Sequence, residues 1–554
     1  MKRKLALGLD YGTESARALL VDVATGKEAG SAVALFPGGV MDQHLPDGTA
    51  LEPETALQDP QDYLNVLSTI VPEAVRAGNA NAEEIIGIGI DFTASTVLPT
   101  LTDGTPLCSL PKFAGEPYAW VKLWKDHAAQ PEADEMNALA ASRNESFLAR
   151  YGGKISSEWL FPKALRMLHK APQVYHEADR FIEAGDWLVW QLCGAERRSA
   201  CQAGYKGMWG KTDGFPTPSF LEALHPDFKD FVSEKLTTDI YSLGEAAGGL
   251  LPEWAEKTGL LPDTPVAIAL IDAHAAVLGS SVADAGKMVL ALGTSTCHLV
   301  MHPENIPAQG IAGIVEDGIV PDFIACESGQ SAVGDIFQWF MRHFVSAEHE
   351  AKAKAAGGDV FSYFEQKAAA LPPGANGLLA LDWWNGNRSP LMDAGLSGVI
   401  IGLTLATKPE DIYRALIEAT AFGTLMIIEN HTEQGIPVDA LYVCGGLAEK
   451  NELLLQIYAD VTGRSLRIAA SSQAAALGAA IAGSVAAGTH RGGHASFTEA
   501  AASMARVKDT IFEPDSSRHA IYQRIYAEYK RLFSTFGKEM PDMMKRLRAI
   551  RSEQ

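Results

Sequence analysis

Short apolar runs that stop at a polar turn recur along the chain, and each predicts a β-strand. Leu5-Ala6-Leu7-Gly8-Leu9 is the first, followed by a glycine-containing polar turn over residues 10–15. Residues 18–23 resume the strand, and Ala24-Thr25-Gly26-Lys27 closes it. Residues 85–90 form a second run, which ends at Asp91 and leads to 95–99 and an Asp103-Gly104 turn. Residues 265–271 run into Asp272, 288–292 into Gly293-Thr294-Ser295-Thr296, and 440–444 into Gly445-Gly446. Between about 116 and 259 the period lengthens. Trp159, Phe161, Ala164, Leu165 and Leu168 recur at helical spacing, and Phe181, Ile182 and the 187–190 group read the same way. Helices are also expected over 451–460, over the small-residue stretch 474–487, and over an amphipathic, basic-ended stretch from about 519 to 551.

One pattern occurs twice. Leu-Gly-Leu-Asp-Tyr-Gly12-Thr13-Glu-Ser15 and Leu-Ala-Leu-Gly293-Thr294-Ser295-Thr296 are both strand, Gly-Thr turn and returning strand. A match this short also arises by chance. Taken as a repeat, it predicts two related α/β domains that open on the same hairpin.

Composition narrows the partners. Lys and Arg number 46 against 68 Asp and Glu, a formal charge of −22, which argues against a protein that grips a nucleic-acid backbone. A nucleotide needs only a few local donors and stays open. The length fits roughly two to four domains of ~100–200 residues. The six cysteines, at 108, 193, 201, 297, 326 and 444, form no C-x-x-C pair and no zinc spacing, so isolated reduced thiols are expected. Asp10 cuts the first apolar run short of the ~7–15 residues of a signal-peptide core, and no window has ~18 uninterrupted apolar residues. A cytoplasmic protein with no membrane partner is the expectation.

Polar turns at the carboxyl ends of strands are where α/β folds gather ligands. Gly12-Thr13 and Gly293-Thr294 could offer backbone N–H groups and hydroxyls to phosphate, and Gly445-Gly446 before a helix could do the same. Each alone is more often just a turn. Asp10, beside the first turn, is a hard oxygen ligand suited to Mg²⁺. Asp272 could take a proton from a hydroxyl nucleophile, or could simply cap a helix. His274 competes as a base, and Asp91 could play a structural hydrogen-bonding role or touch substrate. There is no G-x-x-x-x-G-K-[S/T], H-E-x-x-H or G-x-S-x-G, and no G-x-G-x-x-G follows the first strand. P-loop, zincin, α/β-hydrolase and Rossmann readings all lose ground.

These segments resemble the FGGY carbohydrate kinases. LGLDYGTESARALLVD is similar to their first phosphate hairpin, MVLALGTSTCHLV to the second, and LYVCGGLAEKNELLLQIYADVTG to the adenosine motif. GVIIGLTLATKPEDIYRALIEATAFG resembles the family's C-terminal signature. The likeness covers roughly residues 4–490 in the expected order. The N-terminal signature around Lys163 departs from the pattern, with Arg166 where tryptophan is usual. Gly89–Pro99, Ser157–Lys163, Ala203–Gly207 and Ile271–His274 lean toward the ketopentose kinases, with L-ribulose the first expected acceptor. D-ribulose, ribitol and xylulose remain alternatives. A non-kinase actin-fold ATPase or sugar sensor is the alternative from another class.

The resemblance implies a two-domain actin-like ATPase (ribonuclease H-like) fold. Its halves would span 1–281 and 282–554, with the active site in the cleft between them. It implies Asp272 as catalytic base, and Ala94, Trp124, Lys206 and Glu327 around the sugar. For ATP it implies Thr13, Ser15, Arg17, Gly293, Thr294, Gly334, Gln338, Gly445, Gly446 and Asn451, with Asp10 beside Mg²⁺. The partner it implies is a small sugar, and it leaves room for a homodimer.

Overall fold

The computed structural model describes residues 3–306 and 309–552. Two sheets organise the chain, and they repeat one another. In the first, Ala246–Gly249, Pro265–Ala267, Ile85–Phe92, Leu5–Tyr11, Ser15–Asp22 and Glu28–Leu35 lie side by side, and Leu270–Ile271 also pairs with Ile85–Phe92. In the second the order is Gly313–Glu316, Ile324–Gln330, Thr296–His302, Lys287–Leu292, Ala440–Cys444, Leu466–Ala469 and Val507–Phe512. Each opens on an antiparallel hairpin, Leu5–Tyr11 with Ser15–Asp22 and Lys287–Leu292 with Thr296–His302. Each adds a third antiparallel strand outside the hairpin and, on the other side, parallel strands. The short Gly-Thr match is therefore the visible trace of a shared topology, not chance.

The strand Leu5–Tyr11 is buried along its whole length because both faces are covered. One cover is the helix Ala474–Arg491, which comes from the far end of the chain and lies on the first sheet. Glycine makes this approach possible. A Cβ at Gly8 would stand 1.9 Å from the Ala476 carbonyl oxygen, and one at Gly89 1.7 Å from that of Ala479. On the helix itself, a Cβ at Gly478 would stand 1.8 Å from the Ala275 carbonyl oxygen. Small residues on both partners thus let backbone pack on backbone. The run 474–487 is small-residue for this reason.

A third region lies between the paired strands of the first sheet. It has its own hydrophobic core, in which Phe161, Tyr175, Phe228 and Phe231 pack together. A small sheet of Leu57–Gln58, Val121–Lys122, Val97–Thr100 and Arg180–Glu183 ties it to the first sheet. Here one expectation fails. Phe181 and Ile182 are strand residues paired with Pro99 and Leu98, and the helix begins only at Ala184. A short apolar run reads alike in either period, and a cross-strand partner decides it. The expected strand 265–271 is also broken. Val266 pairs with Ile88 but Leu270 with Asp91, four residues against three. That extra residue is a bulge, a device that bends a strand and re-aims the side chains beyond it. The C-terminal stretch is helical over Ser516–Ser534 and Asp542–Ser552. Among the described residues, no helix is long and apolar enough to cross a membrane.

Gly89→Ala should therefore cost at least about 2 kcal/mol, since the clashing atom is backbone and cannot rotate away. Gly358→Ala, where the nearest atom is a serine Cβ at 3.7 Å, should stay within about 0.5 kcal/mol of wild type. Urea unfolding of the two variants measures the difference; equal midpoints would refute the packing argument.

Candidate active site

Strand register gathers the carboxylates. In the parallel pairing of Leu5–Tyr11 with Ile85–Phe92, Asp10 stands level with Asp91. Leu270 also pairs with Asp91, and the bulged strand then hands over to the helix Asp272–Gly279. Asp10, Asp91 and Asp272 therefore share one edge, at the carboxyl ends of neighbouring strands. Asp10 accepts a 2.8 Å hydrogen bond from Arg17 Nη1 across the hairpin. Asp272 accepts one of 2.6 Å from the N–H of Ala273. The cap position belongs to Ile271, so Asp272 is the first helical residue and not an N-cap. Asp91 is fully buried, with the carboxylates of Asp10 and Asp272 as its charged neighbours. Burial, then the charges of Asp10 and Asp272, push its pKa well above the usual carboxylate range. Burial also raises Asp272 to about 7; Asp10 and Glu327 add to this, while the Ala273 N–H and Lys206 oppose it.

The second cluster bridges the two sheets. Lys206 ends the helix Ala200–Lys206, and its Nζ reaches the Glu327 carboxylate oxygens at 3.2 and 3.3 Å on the strand Ile324–Gln330. Its neighbour Tyr205 donates to the Ala325 carbonyl oxygen at 2.9 Å. Arg388 Nη2 pairs with the same Glu327 carboxylate, and His274 Nε2 lies 3.4 Å away without hydrogen-bond alignment. Burial works to neutralise Glu327, but Lys206 and Arg388 outweigh it and hold its pKa well below the usual range. Burial lowers the pKa of His274, whose ring packs 4.1 Å from Tyr205. The neighbouring Glu327 carboxylate opposes this shift. Sequence reasoning missed Arg388, which lies on a connection after the strand Leu379–Leu381, outside any strand-turn pattern.

Each hairpin turn is closed by a bond from its glycine, over a four-residue loop in the first and a three-residue loop in the second. The Gly12 N–H donates to the Ser15 carbonyl at 3.0 Å, and that of Gly293 to the Ser295 carbonyl at 2.9 Å. Ser15 and Arg17 follow on the returning strand of the first. Thr13 Oγ1 accepts a 3.0 Å bond from Trp124 Nε1, so Trp124, expected at the sugar, also braces the first phosphate turn. Ala94 lies half-buried in the turn after Ile85–Phe92. Gly334 opens the helix Gly334–Phe344 and donates to the Gly293 carbonyl at 3.1 Å, while Val333 donates to that of Thr294 at 2.7 Å. A Cβ at 334 would meet the Gly293 oxygen at 2.6 Å. Gly445 has φ +96°, and its Cβ would meet the Leu292 oxygen at 2.3 Å, beside the same turn. Gly293, Thr294, Gly334, Gly445 and Gly446 thus converge. Gln338 is exposed one helical turn beyond Gly334 and accepts from Arg342 at 3.4 Å. Asn451 points inward, and its Oδ1 caps the next helix by accepting from the Leu454 N–H at 2.8 Å. Among the described residues no three Cys, His, Asp or Glu side chains enclose a metal site.

Duplicated sheets that each open on a glycine turn, with carboxylates gathered at the first sheet's strand ends, fit a phosphotransferase with a small hydroxylated acceptor. The chain belongs to the FGGY family of carbohydrate kinases. The family's N-terminal domain matches residues 5–279 and its C-terminal domain 288–487. It is 52% identical to a ribulokinase of Shouchella clausii over 99% of this chain and 98% of that one. It is 50% identical to a ribulokinase of Halalkalibacterium halodurans over 100% and 99%. Among solved structures it resembles a xylulose kinase from Rhodospirillum rubrum (TM-score 0.78, 20% identity, 96% and 99% covered). A gluconate kinase from Lactobacillus acidophilus is similarly related (TM-score 0.79, 18% identity, 98% and 100% covered). These likenesses show the shared fold of the actin-like ATPases, and the chain is an ATP-dependent sugar kinase.

Removing the carboxylate that Lys206 and Arg388 share would leave two cations facing each other. Glu327→Gln should destabilise the protein by about 3 kcal/mol. Denaturant unfolding reads the loss, and an unshifted midpoint would mean that the cluster is not a closed ion network.

Proposed function

We propose that this kinase phosphorylates L-ribulose at its terminal hydroxyl, with Asp272 as the general base. The observation that carries the mechanism is the Asp272 carboxylate at the strand-end edge, raised by burial to about 7. A base of that pKa is half ionised near neutrality, where it can both accept and release a proton. The choice of L-ribulose rests on the full-length likeness to ribulokinases.

In this reading the sugar lies against Ala94 and Trp124, with Lys206 and Glu327 holding its hydroxyls. Asp272 takes the proton of the attacking hydroxyl as its oxygen bonds to the γ-phosphorus of ATP. The bond to the β–γ bridging oxygen breaks, and ADP leaves with the electron pair. Thr13, Ser15, Arg17, Gly293 and Thr294 surround the phosphates, and Gly334, Gln338, Gly445, Gly446 and Asn451 border the nucleoside. Amides already fixed in turns cost little reorganisation when charge moves between phosphate oxygens. Mg²⁺ bound with ATP would neutralise phosphate charge. Asp10 suits it, because Mg²⁺ keeps water and phosphate ligands and needs only one or two carboxylates.

Asp272→Asn should lower kcat about 10²- to 10⁴-fold in a coupled ADP-release assay with L-ribulose. In wild type, kcat/KM for the sugar should fall as pH drops through about 7, because protonation removes the base. Turnover confined to xylulose would sink the substrate assignment, and ATP hydrolysis indifferent to every sugar would sink the kinase mechanism.

A further inference from the structure

Lys163 is 1% exposed, in the first turn of the helix Leu160–Lys170. Its Nζ donates to two backbone carbonyls, Ser95 at 2.8 Å and Leu123 at 2.5 Å. Burial lowers its pKa to about 8 against the charges of Asp126, Glu158 and Glu183, and among the described residues none of these forms an ion pair with it. A buried ammonium held only by carbonyls is a costly arrangement. What it holds is therefore informative.

Ser95 follows Ala94, and Leu123 precedes Trp124, so the lysine ties together the two segments that bear the proposed apolar contacts to the sugar. The first segment would not hold its shape unaided. Ser95 has φ +55°, a left-handed conformation rare for a non-glycine residue, and its hydroxyl has no partner. The turn is braced further by the Thr93–Thr96 hydroxyl pair at 2.8 Å and by the Ala184 N–H on the Thr96 carbonyl at 2.7 Å. The second segment reaches the other ligand, since Trp124 bonds Thr13 of the first phosphate turn.

We infer that Lys163 is a positioning residue of the sugar site, whose ammonium fixes the separation of Ala94 and Trp124 by clamping the carbonyls of Ser95 and Leu123. This rests on the proposed placement of the sugar against those two residues. The clamp acts on binding geometry and leaves proton transfer at Asp272 alone. A neighbouring lysine provides the control. Lys122 is 5% exposed, lines with Lys163 a cavity of about 280 Å³, and donates to the carbonyls of Tyr118 at 2.7 Å and Trp120 at 3.3 Å. It is as buried and as carbonyl-bound, but does not hold the Ala94 turn.

The test is steady-state kinetics on the full chain with L-ribulose and Mg²⁺-ATP. Lys163→Met should raise the sugar KM by about 10- to 100-fold, at least tenfold more than it raises the ATP KM, with kcat changed less than about threefold. Lys122→Met should lower the unfolding midpoint comparably while leaving the sugar KM within about threefold. Lys163→Gln, whose amide can still donate to one carbonyl, should give an intermediate KM, and this variant decides the matter if Lys163→Met does not fold. Equal effects of Lys163→Met and Lys122→Met on sugar KM would overturn the clamp and leave a merely structural lysine. Ala94→Val and Trp124→Ala separate the premise from the inference. If both raise the sugar KM and Lys163→Met does not, the clamp alone falls; if neither does, the sugar placement falls and takes the clamp with it.

Discussion

Backbone contact between the helix Ala474–Arg491 and the strands Leu5–Tyr11 and Ile85–Phe92 is the constraint on which the rest depends. Side chains normally hold packed layers apart, about 10 Å for two stacked sheets. Here Gly8, Gly87 and Gly89 remove them, and the helix backbone fills the space. The same helix meets the helix Asp272–Gly279 through Gly478. The element that covers the first sheet thus also fixes the helix that starts at Asp272. The helix follows the strand Leu466–Ala469 of the second sheet after a four-residue connection, so a single helix packed on the first sheet is tied closely to the second. Precision at the strand ends is set by this close packing and not by the loops around them.

Burial then gives the carboxylates different characters. Three acids on one edge cannot all stay ionised out of water. Asp10 accepts a bond from Arg17, Asp272 accepts one from the Ala273 N–H and is raised by burial to about 7, and Asp91, beside both, is pushed well above the usual carboxylate range. Glu327 is as buried as any of them, yet two cations keep it charged. Environment, not residue type, separates a carboxylate that holds ligands from one that can exchange a proton.

Much of this was legible in the sequence. Hairpins were clear because five-residue apolar runs stopped at polar, glycine-containing turns, and the duplication showed because both turns carry Gly-Thr. Asp10, Asp91 and Asp272 could be placed at strand ends because each directly follows an apolar run. Arg388 could not, since its meaning comes from Glu327, 61 residues away in the chain. Lys163 was visible as part of a family signature, but nothing in the pattern tells that its ammonium ends on the carbonyls of Ser95 and Leu123. Phe181 and Ile182 were misread because a two-residue apolar step fits either period until its partner strand is known. Local pattern carries strands and turns; long-range pairing of side chains carries the site.

That long-range pairing bears on how such an enzyme keeps phosphate from water. Lys206 belongs to the helix Ala200–Lys206 and Glu327 to the second sheet, so their ion pair spans the parts that must meet around a substrate. The groups that join the halves are those proposed to hold the sugar. A polyhydroxylated acceptor can bond both partners and keep them joined, whereas a single water can satisfy only part of that network. If the sugar binds as proposed, substrate recognition and exclusion of solvent draw on one set of charges, and an acceptor that completes the network is the one whose hydroxyl would be presented to Asp272.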